Sequence, residues 1–159
     1  MTCLLSIGRT NMKMDWLYHA TCERVVDGDS IILTIDAGFD VLLKSQSVRL
    51  YGIDTAETRG GTPELKALGL LAKDYVMQMV PEGSELLIRT YMDRKGKFGR
   101  ILGELYLPEV PDVEGFQDRS LNAILLDEML AVQYYGQSKE DIINQHLINV
   151  EHHKAEGRI

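Results

Sequence analysis

The sequence predicts an α+β chain: a small five-stranded β-barrel with about three helices, one of them inserted between the third and fourth strands. Three observations predict it. The first half carries short β-tolerant runs divided by turn residues. A helix start at Thr62-Pro63-Glu64 then interrupts that pattern. Two more strand-like runs follow, and two helical segments close the chain.

Taken in order, Tyr18 to Val26 is the first strand and ends at Asp27-Gly28, a turn pair. Ser30 to Ile35 (SIILTI) is the second, stopped by Asp36-Ala37-Gly38. Val41 to Ile53 carries a third strand or a pair of them. Such close neighbours predict an antiparallel meander. Thr62 can cap a helix, Pro63 suits its first position, and Glu64 sits in the favourable first turn. Leu65, Leu68, Ala72, Tyr75, Val76 and Met79 recur at helical spacing until Pro81 and Gly83. Met77, Met79 and the helix leucines are read as core. Strands over Glu85 to Met92 and Arg100 to Leu107 flank a turn containing Gly96 and Gly99. Pro108 to Gln117 reads as a loop, and helices follow over Arg119 to Leu130 and Lys139 to Lys154. Five strands with a helix after the third is the layout of an OB-fold, a Greek-key barrel that often binds oligonucleotides on one face.

A length of 159 residues suits one domain, read as 17–159 behind a tail at 1–16, with Met12 or Met14 as alternative starts. No apolar run approaches 18 residues, so no membrane span is expected. The run Cys3 to Ile7 is too short for a secretory signal. Two cysteines, Cys3 and Cys22, make no disulfide framework, and free thiols fit a reducing cytoplasm. A net charge of −7 argues against binding nucleic acid through bulk positive charge. The charge is segregated, however. Arg89, Arg94, Lys95, Lys97 and Arg100 stand against Asp93 alone, and an acidic stretch follows from Glu109 to Glu128.

Three clusters carry chemistry. In VVDGDSI, Asp27 and Asp29 flank a glycine at a strand junction. Converging carboxylates repel unless a cation lies between them, and such hard oxygen ligands suit Ca²⁺ or Mg²⁺. A plain Asp-Gly hairpin is the other reading. In RLYGIDTAET, Asp54 and Thr55 end a strand, with Glu57 two residues on and Arg49 five before. A guanidinium can grip two phosphate oxygens, and a glutamate can position water or accept its proton. An ordinary ion pair between Arg49 and Asp54 would use the same residues. In DRKGKFGR, a basic turn precedes Arg100, the position best fixed by its strand. Tyr134 and Tyr135 can stack on bases or pack the barrel. His146 and His153 share a helix face without a third ligand in view, which reads as a surface helix.

Together, DGDS, RLYGIDTAET and KFGR, in this order and separation, resemble the thermonuclease (staphylococcal nuclease-like) family. The likeness runs from about Tyr18 to Gly136 and includes SLNAILLDEMLAVQYYG. The resemblance implies Asp29, Asp54 and the Thr55 carbonyl as ligands of Ca²⁺, with Asp27 just outside them. It implies Glu57 as general base and Arg49 and Arg100 on the scissile phosphate. Lys97, Phe98, Tyr134 and Tyr135 would meet substrate. Ser30, Ala56 and Phe98 depart from the family's threonine, proline and tyrosine. The implied activity is calcium-dependent hydrolysis of DNA or RNA, single strands favoured, leaving 3′-phosphate ends. The implied setting is a monomer, intracellular or phage-encoded, off the membrane. A non-catalytic barrel that binds nucleic acid or protein is the alternative.

Overall fold

The fold is that of a computed structural model; residues 16–91, 99–109 and 115–159 are described. The proposed tail, apart from residue 16, and most of the basic turn, with Lys97 and Phe98, lie outside the described residues.

Strands β1 (Leu17–Asp27), β2 (Ser30–Asp36) and β3 (Leu42–Leu50) form the expected antiparallel meander. β4 (Ile53–Asp54) follows, then helix α1 (Pro63–Met79), β5 (Glu85–Tyr91) and β6 (Ile101–Tyr106). Helix α2 (Leu121–Asp127), β7 (Val132–Gln133) and helix α3 (Lys139–Ala155) complete the chain. The barrel closes in the order β1-β2-β3-β6-β5. Its one parallel pair, β3 with β6, aligns Val48 with Ile101 and Arg49 with Leu102. The five-stranded barrel with a helix after its third strand is the OB-type α+β fold read from the sequence.

Alternation sorts the side chains. Ile31, Leu33 and Ile35 of β2, Val48 and Leu50 of β3, and Leu86 and Ile88 of β5 point inward and are buried. α1 covers the barrel with Ala72 and Val76, while its Leu68 packs with Ala56 and Val150. Its start is the one expected: Thr62 Oγ1 accepts from the Leu65 amide at 3.3 Å, with Pro63 in the first turn. Met79 packs partly against the core, but Met77 is 49% exposed and Leu70 43%, so the reading of every apolar residue of this helix as core is corrected. A 17-residue helix cannot bury all of its faces on one barrel.

α2 is shorter than Arg119 to Leu130. Ser120 caps it by accepting from the Ala123 amide at 3.1 Å, which fixes the start. Met129 adopts φ 55°, and the Leu130 amide closes back on the Leu125 carbonyl at 2.9 Å. Asn122, buried on this helix, clamps the barrel. Its Nδ2 donates to the carbonyls of Tyr51 and Gly103, and its Oδ1 accepts from the Leu105 amide.

α3 is not the surface helix expected. Its buried residues are His146, Asn149, Val150 and His153. His153 is fully buried, with Nε2 3.0 Å from the Met129 carbonyl. Burial, joined by the neighbouring charges of His152 and Arg158, holds its pKa below the usual histidine value. The unfolded chain therefore takes up a proton near pH 6.5 while the folded one resists, and stability falls as pH drops below that point. Calorimetry between pH 7.5 and 5 checks this: Tm falls for the wild type, and His153→Gln, which cannot charge, shows a shallower fall.

Candidate active site

Strand register brings the acidic clusters together. Ser30 pairs with Arg49 across β2 and β3, and the Leu50 amide donates to the Asp29 carbonyl at 2.9 Å. Asp29 thus sits beside Arg49 at the open end of the ladder. β4 pairs with β7, Asp54 opposite Val132, which fixes Asp54 on the other side of Arg49. The guanidinium spans the two carboxylates: Nη1 lies 3.3 Å from Asp29 Oδ2, and Nη2 lies 3.0 Å from Asp54 Oδ1.

The two acids differ in environment. Asp29 is 6% exposed, and burial raises its pKa despite the Arg49 charge and the Thr55 amide, which donates at 3.2 Å. Burial also pushes Asp54 upward, but hydrogen bonds from His146 and Arg49 outweigh it and hold the pKa below the usual range. The charge at Asp29 is therefore the costlier one, and an added cation beside it would offset that cost.

Glycine packing sets the rest of the site. At Gly28, in the β1–β2 turn, a Cβ would lie 2.9 Å from Ala72 Cβ and 3.0 Å from Thr55 Cγ2. The turn is thus pressed between α1 and the Asp54–Thr55 segment, more than a plain hairpin requires. At Gly69 of α1, a Cβ would meet the Ala56 carbonyl oxygen at 2.5 Å and that of Glu57 at 2.7 Å. The loop that carries Glu57 lies directly on the helix backbone there. Thr58 Oγ1 donates to Asp27 Oδ1 at 2.8 Å and ties the same loop to the end of β1.

Of the sequence-predicted residues, Asp29, Arg49 and Asp54 meet in one contact network. Thr55 joins it through its amide, and its Oγ1 is buried without a hydrogen-bond partner. Asp27 is turned to Thr58 and touches neither acid by hydrogen bond. Glu57 is exposed on its loop. Arg100 is half-buried, one residue before β6. Tyr134 lies against Arg49, with the guanidinium carbon 5.7 Å from its ring centroid. Tyr134 and Tyr135 do not pack the barrel interior; Tyr135 is 74% exposed. Both line an open groove of about 530 Å³ with Tyr51, Glu104 and Leu126.

Sequence reasoning placed His146 on a surface helix and gave it no link to Asp54. Its Nε2 lies 2.9 Å from Asp54 Oδ2, across 92 residues of chain. A signal was present in the polar row His146, Asn149 and His153, spaced to share one helix face.

The donor set can be weighed against a metal ion. Among the described residues no group of three His, Cys, Asp or Glu side chains could hold one. The two carboxylates, Asp29 and Asp54, remain, and both offer oxygen. That fits a hard cation such as Ca²⁺ or Mg²⁺ and not a thiolate- or imidazole-seeking metal.

At the rim of a closed barrel of OB type, an arginine thus joins two acids. The chain matches the family model described as "Staphylococcal nuclease homologue" over residues 47–158 and belongs to that family. It is 32% identical over 130 residues to the SPbeta prophage-derived endonuclease YokF of Bacillus subtilis (strain 168), covering 81% of this chain and 39% of that protein. It is 29% identical over 94 residues to Endonuclease YhcR of the same organism, covering 55% of this chain and 7% of that protein. The chain thus spans well under half the length of either relative. The family match begins within β3, so β1, β2 and Asp29 precede it.

Gly69 offers a test of this packing. Alanine favours a helix interior over glycine by about 1 kcal/mol. Here the Cβ would clash with backbone, and overpacking costs about 1–3 kcal/mol. Gly69→Ala is expected to lower unfolding stability in urea, not to raise it.

Proposed function

We propose that the chain is a calcium-dependent nuclease that hydrolyses phosphodiester bonds of DNA or RNA, acts best on single strands and leaves 3′-phosphate ends. One observation carries the reading: Arg49 is held between Asp29 and Asp54 at the rim of the barrel. Family membership and two endonuclease relatives support it.

Asp29, Asp54 and the Thr55 carbonyl are the residues that would hold Ca²⁺. When bound there, the ion would offset charge on a phosphate oxygen. The remaining steps fall to the chain. A guanidinium has five N–H donors. Two of Arg49's nitrogens face the carboxylates, which leaves donors for a phosphoryl oxygen. Arg100 would grip a second oxygen. Both contacts strengthen as negative charge builds on the phosphorus. Glu57 would orient the attacking water and take its proton. The water oxygen bonds to phosphorus, and the bond to the 5′ oxygen breaks. That oxygen leaves and takes a proton from solvent, Glu57 gives its proton back to solvent, and the phosphate stays on the 3′ side. Tyr134 and Tyr135 would stack flanking bases, a contact available to unpaired strands. Lys97 and Phe98 are assigned to substrate by family likeness alone.

Two outcomes check the proposal. Purified protein is expected to degrade single-stranded DNA in Ca²⁺ and to stop in excess chelator, with Arg49→Ala slower by about 10²–10³-fold. Degradation that ignores chelator, or that survives Arg49→Ala unchanged, removes it. Separately, Ca²⁺ at a hundred times its Kd is expected to stabilise the fold by about 2.7 kcal/mol in a thermal-shift assay. Asp29→Asn is expected to abolish that shift.

A further inference from the structure

Both oxygens of Asp54 have hydrogen-bond partners. Oδ1 accepts from Arg49 Nη2 at 3.0 Å, and Oδ2 meets His146 Nε2 at 2.9 Å. His146 is 3% exposed, and its Nδ1 is buried without a partner. One neutral tautomer fits both facts. With the proton on Nε2, the ring donates to Asp54 and leaves Nδ1 as a bare acceptor. The other tautomer would aim a lone pair at a carboxylate and bury an unmet N–H.

The helix that delivers this ring is docked by polar contacts. Asn149 Nδ2 donates to the Ala131 carbonyl at 3.2 Å, and His153 reaches the Met129 carbonyl. Those carbonyls lie just before β7, whose Val132 pairs with Asp54. The register of α3 and the place of Asp54 are therefore fixed by the same segment. An aspartate carboxyl turns easily about its last torsion, which has broad, roughly two-fold wells. A donor on each oxygen removes that freedom while leaving each oxygen further lone pairs.

We propose that His146 is a positioning residue for the cation site: through Nε2–H it fixes the plane of the Asp54 carboxylate and so sets the affinity for a divalent ion. This inference rests on the reading that Asp29 and Asp54 bind such an ion. Hydrogen-bond partners of metal-ligating carboxylates typically contribute about 10–100-fold in metal affinity.

Calorimetric titration of the full chain with Ca²⁺ tests it, with four proteins compared. His146→Ala is expected to weaken Ca²⁺ binding by about 10–100-fold. His146→Gln restores a side-chain N–H donor and is expected to bind within about 5-fold of wild type, set by the same hydrogen-bond partner. Asn149→Ala loosens α3 without touching Asp54 and is expected to leave the affinity within about 3-fold, as for a change outside the ligand's partners. Equal affinity for wild type and His146→Ala overturns the inference alone. So does a loss in Asn149→Ala as large as that in His146→Ala, or a Gln variant as weak as the Ala variant. Wild-type protein that binds no Ca²⁺ overturns the underlying reading as well.

Discussion

The Arg49 guanidinium between Asp29 and Asp54 is the contact on which the site depends. Two carboxylates that face one point raise each other's energy, and the barrel must supply positive charge to hold them there. Arg49 does so from near the end of β3, where Ser30 and Leu102 flank it on the two neighbouring strands. The same arginine would also have to serve a phosphate. That dual use is possible because the fork carries more donors than two acids consume. Asp29 bears the larger burial cost, while His146 and Arg49 outweigh the burial of Asp54. The pair is thus built unequally, one acid costly when charged and the other held charged.

The surroundings enforce that geometry through close backbone approach more than through side-chain bulk. Gly28 and Gly69 let the β1–β2 turn and α1 press on the 54–57 segment from two directions. Asn122 ties the same region to β6 by satisfying three main-chain groups at once. α3 adds a third wall, with histidines and an asparagine where a helix usually presents leucines. Beside this frame, the groove at Tyr134 and Tyr135 starts where Arg49 ends. The proposed phosphate site and the aromatic faces therefore adjoin on a chain whose net charge is −7. Under that proposal, local placement and not overall charge would attract an anionic polymer.

Much of the barrel was legible because its strands alternate and its turns carry Asp-Gly and Gly pairs. β1, β2 and β5 begin and end within about a residue of the sequence reading, and α1 begins at the capping threonine that announces it. Asp29, Arg49 and Asp54 were legible as chemistry, and the Arg49–Asp54 ion pair as one reading of it, but the Asp29–Arg49 contact rests on the β2–β3 register and the place of Asp54 on a two-residue strand. β4 and β7 are too short to leave a period in the sequence. α2 ended early because a methionine took the left-handed conformation that glycine usually marks. His146 was misread for a physical reason: hydrophobic periodicity detects apolar faces, and the buried face of α3 is polar. Its partner, 92 residues distant, is visible only in three dimensions.

The anomalous difference density of a crystal grown with saturating Ca²⁺ tests the central claim most directly. A single peak is expected between Asp29 and Asp54, about 2.3–2.6 Å from carboxylate oxygens of both. Calcium found only elsewhere on the molecule, with Arg49 still spanning two cation-free carboxylates, would contradict it.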